Sequence, residues 1–321
     1  KRNPIEYIKD TGDKKLLLFV TPNELMQKNA KILVLSGISN QKYLKCNEYG
    51  NWKSIYTDNY GYNNSSTSSN FDLLLVGDSF AQGFCVKKAN ETHNLLNKKD
   101  IKTYSIGYAG NGPLLSLASL IEISKVLKFE KVIWLFFRND FYDIKWEKNN
   151  PNLKKYLDKN FQGSNYFQDL KKINIYQKDY IQKNETKKIG FNFQESFFQL
   201  KFLNDYLNRI LNKYQDKGIN DNEYILSKIF NNLDKRFNDK EKMIIYLPNQ
   251  KCFVNQKKQC DKEILMLKKL TKKTEIKVFD FRDNFANKDH KIFFALGLDR
   301  THYSILGYKD LSNFIFNIVS K

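Results

Sequence analysis

The chain has 321 residues, 41% of them hydrophobic, which is enough to bury one substantial core. Lys and Arg number 54 against 35 Asp and Glu, so the net charge is +19. The lysines are scattered and no zinc-finger, RNA-binding or helix-turn-helix pattern accompanies them, so we expect no nucleic-acid partner. No apolar stretch approaches the ~18 residues that a membrane span requires.

Residues 1–70 predict an N-terminal arm packed on the main domain. Short apolar runs, Leu16–Val20 and Ile32–Leu35, alternate with polar turns and indicate a β-rich arm. The arm ends in the polar sequence N-N-S-S-T-S-S-N, which is typical of a linker. We therefore assign 71–321 to the main domain.

The main domain alternates predicted strands with helices, a pattern that produces a parallel sheet. We predict strands at 72–77, 102–106, 131–137, 243–247 and 276–280. Helices are predicted at about 87–98, 114–128, 261–272 and 306–319. We expect an α/β, three-layer, flavodoxin-like fold with a five-stranded, mainly parallel sheet and a site at its carboxyl edge.

A helical insertion is predicted at about 149–239, where the alternation breaks. Large apolar residues recur there every four positions: Phe198, Phe202, Tyr206, Ile210 and Tyr214. An apolar face packed on the domain is the commoner explanation for such a stripe. An insertion that begins shortly after Asn139 is also placed to cover a site. Tyr142 and Trp146, just past Asn139, are aromatic residues near the start of this insertion, and simple packing is one explanation for them.

The first core strand stops at Gly77-Asp78-Ser79. A serine on the turn from a strand into a helix exposes its hydroxyl and places its own N–H at the helix N-terminus. That geometry suits attack on a carbonyl and stabilisation of the resulting oxyanion. An ordinary polar turn is the alternative. Ser79 is our candidate nucleophile.

Serine catalysis needs a base, and the chain has three histidines. His93 lies in a short helical pattern and His290 in a charged loop, so we expect neither to act chemically. His302 precedes the last helix and has Asp299 three residues upstream. A carboxylate at that spacing can bind Nδ1 and leave Nε2 free to take a proton. The alternative is that Asp299 only caps the helix.

Two further segments lie where oxyanion donors are needed. Gly110 follows the second strand, and a glycine there can bring a backbone N–H close to a substrate. Asn139 follows the third strand, and its side-chain amide can point at the same edge of the sheet. Arg138, beside it, is a candidate for substrate binding.

These segments resemble the SGNH hydrolase superfamily, also called GDSL-type esterases. The resemblance implies Ser79 as nucleophile, His302 as base and Asp299 as its orienting carboxylate. It also implies an oxyanion hole formed by Ser79, Gly110 and Asn139. C-N-E-Y-G, Y-T-D-N-Y-G-Y-N-N, G-D-S-F-A-Q-G-F-C-V and H-Y-S-I-L-G-Y are similar to bacterial members associated with surface polysaccharides. The likeness runs from about Gly37 to the end and is weakest at 150–240.

The resemblance implies removal of O-acetyl groups from an acylated carbohydrate through an acyl-enzyme on Ser79. Tyr142 and Trp146 are then candidates for stacking on a sugar ring, with simple packing as the alternative. An O-acetyltransferase acting on a cell-surface polysaccharide is the alternative, because it uses the same residues. A glycan-binding protein without turnover is a second alternative. We expect no cofactor, since no phosphate-binding glycine loop is present.

The four cysteines are Cys46, Cys85, Cys252 and Cys260. None has C-x-x-C spacing or a neighbouring histidine, so we expect no metal site. Pairing Cys252 with Cys260, and Cys46 with Cys85 behind the nucleophile, indicates a periplasmic or otherwise extracytoplasmic protein. Four free thiols in a cytosolic protein are the alternative. Because the chain begins with Lys1-Arg2 and not with methionine, we expect a mature or truncated product, for which removal of a signal peptide or membrane anchor is one origin.

Overall fold

The computed structural model describes residues 4–65, 68–189, 219–285, 288–297 and 302–320. The main sheet has five strands, all parallel, in the order β5-β4-β6-β7-β8. In chain order they are β4 (Asn70–Gly77), β5 (Thr103–Ser105), β6 (Lys128–Phe137), β7 (Glu241–Leu247) and β8 (Lys277–Asp280). Numbered within the sheet, this is the 2-1-3-4-5 order of flavodoxin-like folds. The predicted fold class is confirmed.

The two central strands, β4 and β6, are continuous apolar runs because both of their faces are covered. Successive residues of β4 enter opposite cores: Leu74 and Val76 pack in one, Leu73 and Leu75 in the other. The same alternation holds in β6, where Trp134 faces the first core and Ile133 and Leu135 the second. The sheet is thus the middle of three layers.

Helices occupy both faces and the connections between strands. The helices named here are α1 (Pro4–Thr11), α2 (Pro22–Lys28), α3 (Ser79–Gln82), α4 (Thr92–Asn97), α5 (Pro113–Ile123), α6 (Asp140–Glu147), α7 (Pro151–Lys154), α8 (Leu170–Ile189), α9 (Ile219–Arg236), α10 (Lys251–Val254), α11 (Lys257–Thr271) and α12 (Ile305–Val319). Helix α5 is buried along its whole length, which explains its nearly uninterrupted run of leucines, isoleucines and small residues.

The N-terminal segment forms its own small sheet, consistent with the predicted β-rich arm. Strand β2 (Lys42–Cys46) pairs in parallel with β1 (Leu16–Leu18) and antiparallel with β3 (Lys53–Tyr56). The apolar run Ile32–Leu35 is not a strand. Val34 and Leu35 are nevertheless buried in the core, and the N–H of Leu35 donates to the hydroxyl of Tyr166.

The region of the predicted insertion contains α7, α8 and α9. One face of α9 is buried, through Leu226, Ile229, Phe230 and Leu233. The predicted repeat from Phe198 to Tyr214 lies outside the described residues. No helix within the described ranges is long and apolar enough to cross a membrane.

Candidate active site

Ser79 begins helix α3 directly after the central strand β4. Gly77 makes this turn at a φ of +142°, where a Cβ would lie 2.6 Å from the carbonyl oxygen of Leu135 on β6. Glycine is therefore required by both conformation and space. The buried side chain of Asp78 accepts a hydrogen bond from the N–H of Phe80 at 2.9 Å and caps the helix. These constraints fix the hydroxyl of Ser79 at the carboxyl edge of the sheet.

Ser79, His302 and Glu48 form a hydrogen-bonded chain. Oγ of Ser79 lies 2.8 Å from Nε2 of His302, and Nδ1 of the same ring lies 2.7 Å from Oε1 of Glu48. The backbone N–H of His302 donates to the second oxygen of Glu48 at 3.1 Å. A carboxylate on Nδ1 fixes the tautomer in which Nε2 accepts the serine proton.

The imidazole of His302 is held from several sides. The next residue, Tyr303, is fully buried, bridges to Phe294, and donates its hydroxyl to the carbonyl of Pro248 at 3.0 Å. Phe80 and Phe84 flank the ring at centroid distances of 5.1 and 4.7 Å. The ring is consequently positioned by packing before any substrate arrives.

Glu48 was not among the residues predicted from the sequence. It lies in the loop between β2 and β3, outside the main sheet. Asp299, the predicted partner of His302, lies outside the described residues. The sequence feature that could have pointed to Glu48 is the predicted pairing of Cys46 with Cys85. A bond between these cysteines brings Glu48, two residues from Cys46, close to Ser79, six residues from Cys85.

Gly110 lies in the loop that follows β5. The N–H of Tyr108 donates to the carbonyl of Gly77, and the N–H of Ala109 to the side chain of Gln82, which lays this loop along α3. Gly110 has a φ of +83°, and a Cβ there would be 3.0 Å from the side chain of Thr21. The N–H groups of Ser79 and Gly110 have no acceptor among the described residues. Unpaired donors at a nucleophile are what an oxyanion hole requires.

Asn139 precedes α6 and is oriented by carboxyl groups. Its Nδ2 donates to Oδ2 of Asp143 at 2.8 Å, and its side chain also contacts Asp78, next to Ser79. At the other end of α6, Glu147 accepts the N–H groups of Gly112, Leu114 and Leu115 at the N-terminus of α5: 2.8, 2.7 and 3.2 Å. Helix α6 thereby links the loop of Gly110 to Asn139.

Buried carboxyl groups lie behind the site. Burial raises the pKa of Asp78, and it raises that of Asp140 well above its usual range, with Asp78 adding to the effect. Burial, and next the charge of Asp78, raises the pKa of Asp143 to about 7. Burial also raises the pKa of Glu147 to about 8, against the opposing effect of its backbone donors. All four carboxyl groups therefore hold a proton more readily than an exposed carboxyl does.

The side chain of Arg138 is engaged by residues of and next to helix α11. Its Nε lies 3.0 Å from Oε1 of Glu263, and its guanidinium also donates to Gln256. Trp146 packs against the core, whereas Tyr142 is 50% exposed one turn from Asn139. Of these three substrate-binding candidates, Tyr142 has the free surface that stacking needs.

The other two histidines lie elsewhere. His93 is buried beside Glu91 and Asn94, and burial lowers its pKa to about 3. His290 stacks on the ring of Phe253. Neither contacts Ser79, in agreement with the minor roles expected for them.

Both predicted cysteine pairs are bonded, Cys46 to Cys85 and Cys252 to Cys260. Sγ of Cys85 and ligand atoms of Glu48 and His302 all lie within 4.8 Å of one another. Because this sulfur is bonded to Cys46, it is not a thiolate and is a poor metal ligand.

Comparison with known proteins gives a distant structural likeness. No protein-family model matches the chain, and no curated protein does. A solved structure described as "a putative platelet activating factor from Streptococcus pneumonia" is similar, with a TM-score of 0.43 and 13% identity. The alignment covers 78% of this chain and 85% of that one.

Proposed function

We propose that this chain is a serine ester hydrolase of the SGNH type that removes acyl groups, above all acetyl, from a carbohydrate. The observation that carries the proposal is the chain of contacts from Ser79 through His302 to Glu48, at 2.8 and 2.7 Å. The unpaired N–H groups of Ser79 and Gly110 support it. The carbohydrate class is supported by the resemblance to polysaccharide-associated proteins and by the exposed ring of Tyr142.

In the first half of the reaction, Oγ of Ser79 attacks the ester carbonyl and its proton passes to Nε2 of His302. The carboxylate of Glu48 stabilises the imidazolium, and the N–H groups of Ser79 and Gly110, with the side-chain amide of Asn139, hold the oxyanion. Collapse of the tetrahedral intermediate breaks the ester C–O bond. Nε2 returns the proton to the departing sugar oxygen, leaving Ser79 acylated and the sugar hydroxyl free.

In the second half, water attacks the acyl-enzyme while His302 takes its proton. The carboxylic acid leaves and Ser79 is restored. If a sugar hydroxyl replaces water, the same residues carry out O-acyl transfer. The two reactions therefore differ only in the molecule that accepts the acyl group, which is water for the hydrolase and a sugar hydroxyl for the transferase.

The two disulfides support an extracytoplasmic location, because disulfides persist in an oxidising environment. We propose the periplasm or another extracytoplasmic compartment.

A fluorophosphonate probe and an aryl acetate test the proposal. The native chain should be labelled at Ser79 and should release aryl alcohol, and Ser79→Ala should do neither while keeping its circular dichroism. A folded native chain that is neither labelled nor active would contradict the proposal and favour a glycan-binding role. Mass spectrometry of added glycans separates the two reactions. A hydrolase removes acetyl groups from an acetylated glycan, whereas a transferase moves acetyl from the aryl acetate to an unacetylated glycan.

A further inference from the structure

Glu48 belongs to a different sheet from Ser79, and few contacts fix the loop that carries it. Apart from the pairing of β2 with β3, the only hydrogen bonds from residues 47–52 to other described residues are the two that Glu48 accepts from His302. The hydroxyl of Tyr49 and the indole N–H of Trp52 are buried without a hydrogen-bond partner among the described residues. The ring of Trp52 contacts that of Tyr7 on α1, with the centroids 6.2 Å apart. Apart from this contact, the loop depends on its ends for its position.

One of those ends is covalently attached to the nucleophile segment. Cys46, the last residue of β2, is bonded to Cys85, with their Cα atoms 5.5 Å apart. Cys85 is fully buried, and its sulfur lies within 4.8 Å of both Glu48 and His302. The disulfide thus lies next to the contact between carboxylate and imidazole.

From this geometry we propose that the Cys46–Cys85 disulfide is a positioning element that completes the triad, holding Glu48 on Nδ1 of His302. This inference rests on the proposed function. It predicts that the enzyme is fully active only when this disulfide is formed. The other disulfide, Cys252–Cys260, serves as a matched control because it links two neighbouring helices, α10 and α11.

Lys45 is a second attachment of the arm, and it has to be separated from the disulfide. Its buried Nζ donates to the carbonyl of Gly83 at 2.9 Å and lies 4.0 Å from Glu91. This contact anchors β2 to the same segment, but it precedes Cys46 and leaves the chain beyond free to turn. We therefore expect the small sheet to remain docked when the disulfide is removed, and Glu48 to move.

The test compares aryl acetate kinetics of C46A/C85A, C252A/C260A, E48A and the triple variant C46A/C85A/E48A. We expect C46A/C85A to lose about 10²-fold in kcat with little change in KM, a cost typical of a misplaced catalytic group. C252A/C260A should stay within about twofold. The triple variant should be no slower than E48A, because effects on a shared element do not add. Losses that multiply would overturn the proposal, since the disulfide would then not act through Glu48.

A spectroscopic signature adds a readout that loss of stability alone does not change. The proton between Nδ1 of His302 and Glu48 should give a low-field NMR resonance that H302Q and E48A remove. It should vanish in C46A/C85A and persist in C252A/C260A. If C46A/C85A fails to fold, the same signal and kcat are followed in folded C252A/C260A while its remaining disulfide is reduced and reoxidised. A signal and rate unaffected by reduction would overturn the proposal.

These experiments distinguish failure of the proposed function from failure of the disulfide's positioning role. If the native chain is not labelled by the fluorophosphonate, the proposed function fails and this inference with it. If the native chain is active and C46A/C85A keeps both its rate and its low-field proton, only this inference fails.

Discussion

Glu48 and His302 are 254 residues apart, yet Oε1 of Glu48 lies 2.7 Å from Nδ1 of His302. Both carboxylate oxygens are occupied by His302, one by its ring and one by its backbone N–H. This arrangement makes Glu48 a candidate for the orienting acid, alongside Asp299, which the sequence predicts for that role and which lies outside the described residues.

The two carboxylates can be compared directly by mutation. Glu48→Gln should lower kcat by roughly 10³–10⁴, because the loss of a triad carboxylate destabilises both the tautomer and the imidazolium. Asp299→Asn should cost less than tenfold. Kinetics with an aryl acetate measure both, and unchanged circular dichroism is the control. A larger loss in D299N than in E48Q would return the role to Asp299.

Asn139 is the side-chain candidate for the oxyanion hole. Asn139→Ala should reduce kcat by about 10²–10³ with little change in KM, because the donor acts on charge that develops in the transition state. Asp143→Asn is the companion variant, since Asp143 accepts from the same amide. We expect a smaller loss there, because the amide remains and only its orientation is freed. Equal kcat in the native chain and N139A would remove Asn139 from the mechanism.

Arg138 should contribute to stability and not to substrate binding. Arg138→Ala leaves Glu263 buried without its cation, a change that costs about 3 kcal/mol in typical buried pairs. KM for an acetylated glycan should change less than twofold. Urea unfolding measures the first effect and steady-state kinetics the second. A large rise in KM with unchanged stability would restore the substrate-binding role.

Chain order was enough to predict the sheet and the edge at which the candidate site residues lie. The alternation of strands and helices predicts a parallel sheet, and parallel strands bring their carboxyl ends to one edge, where Ser79, Gly110 and Asn139 lie. Their contacts depend on the short turns after each strand, which local sequence specifies well. The fold class was predictable for the same reason.

Glu48 was not predictable in this way, because its position depends on how a separate small sheet docks on the domain. No periodicity in residues 40–56 encodes that docking, and the cysteine pair is the sequence feature that best indicates it.

The contacts of Arg138 were not predictable from sequence position alone. Its place next to Asn139 suggested a role at the site, but its long side chain reaches a buried glutamate on α11 instead. Side-chain direction at such a position is decided by tertiary partners.

The two disulfides should differ in their effect on stability. Cys46 and Cys85 are separated by 39 residues, and Cys252 and Cys260 by 8. On the chain-entropy model, their removal should cost about 4 and about 2.5 kcal/mol, respectively. Urea unfolding of C46A/C85A and C252A/C260A tests this order. A reversed order would indicate that native contacts, not loop closure, dominate their contribution.

The buried carboxyls behind the site should make the protein less stable as pH rises through the neutral range. Burial raises the pKa of Asp143 to about 7, whereas the unfolded chain titrates near the ordinary value of 3.8. Between these pH values the folded state holds a proton that the unfolded state has released. The contribution of Asp143 to stability is therefore intact below about pH 4 and declines by up to about 1.4 kcal/mol per pH unit until about pH 7.

Asp143→Asn tests this linkage, because its amide cannot ionise. The free energy of unfolding, measured in urea from pH 4 to pH 8, should fall less steeply in D143N than in the native chain. The two curves should diverge most near pH 7 and then run parallel. Asp289→Asn, at an exposed position that caps a short 3-10 helix, is the control and should leave the slope unchanged. Identical slopes in D143N and the native chain would mean that Asp143 ionises normally and that its contact with Asn139 is already charged at pH 5.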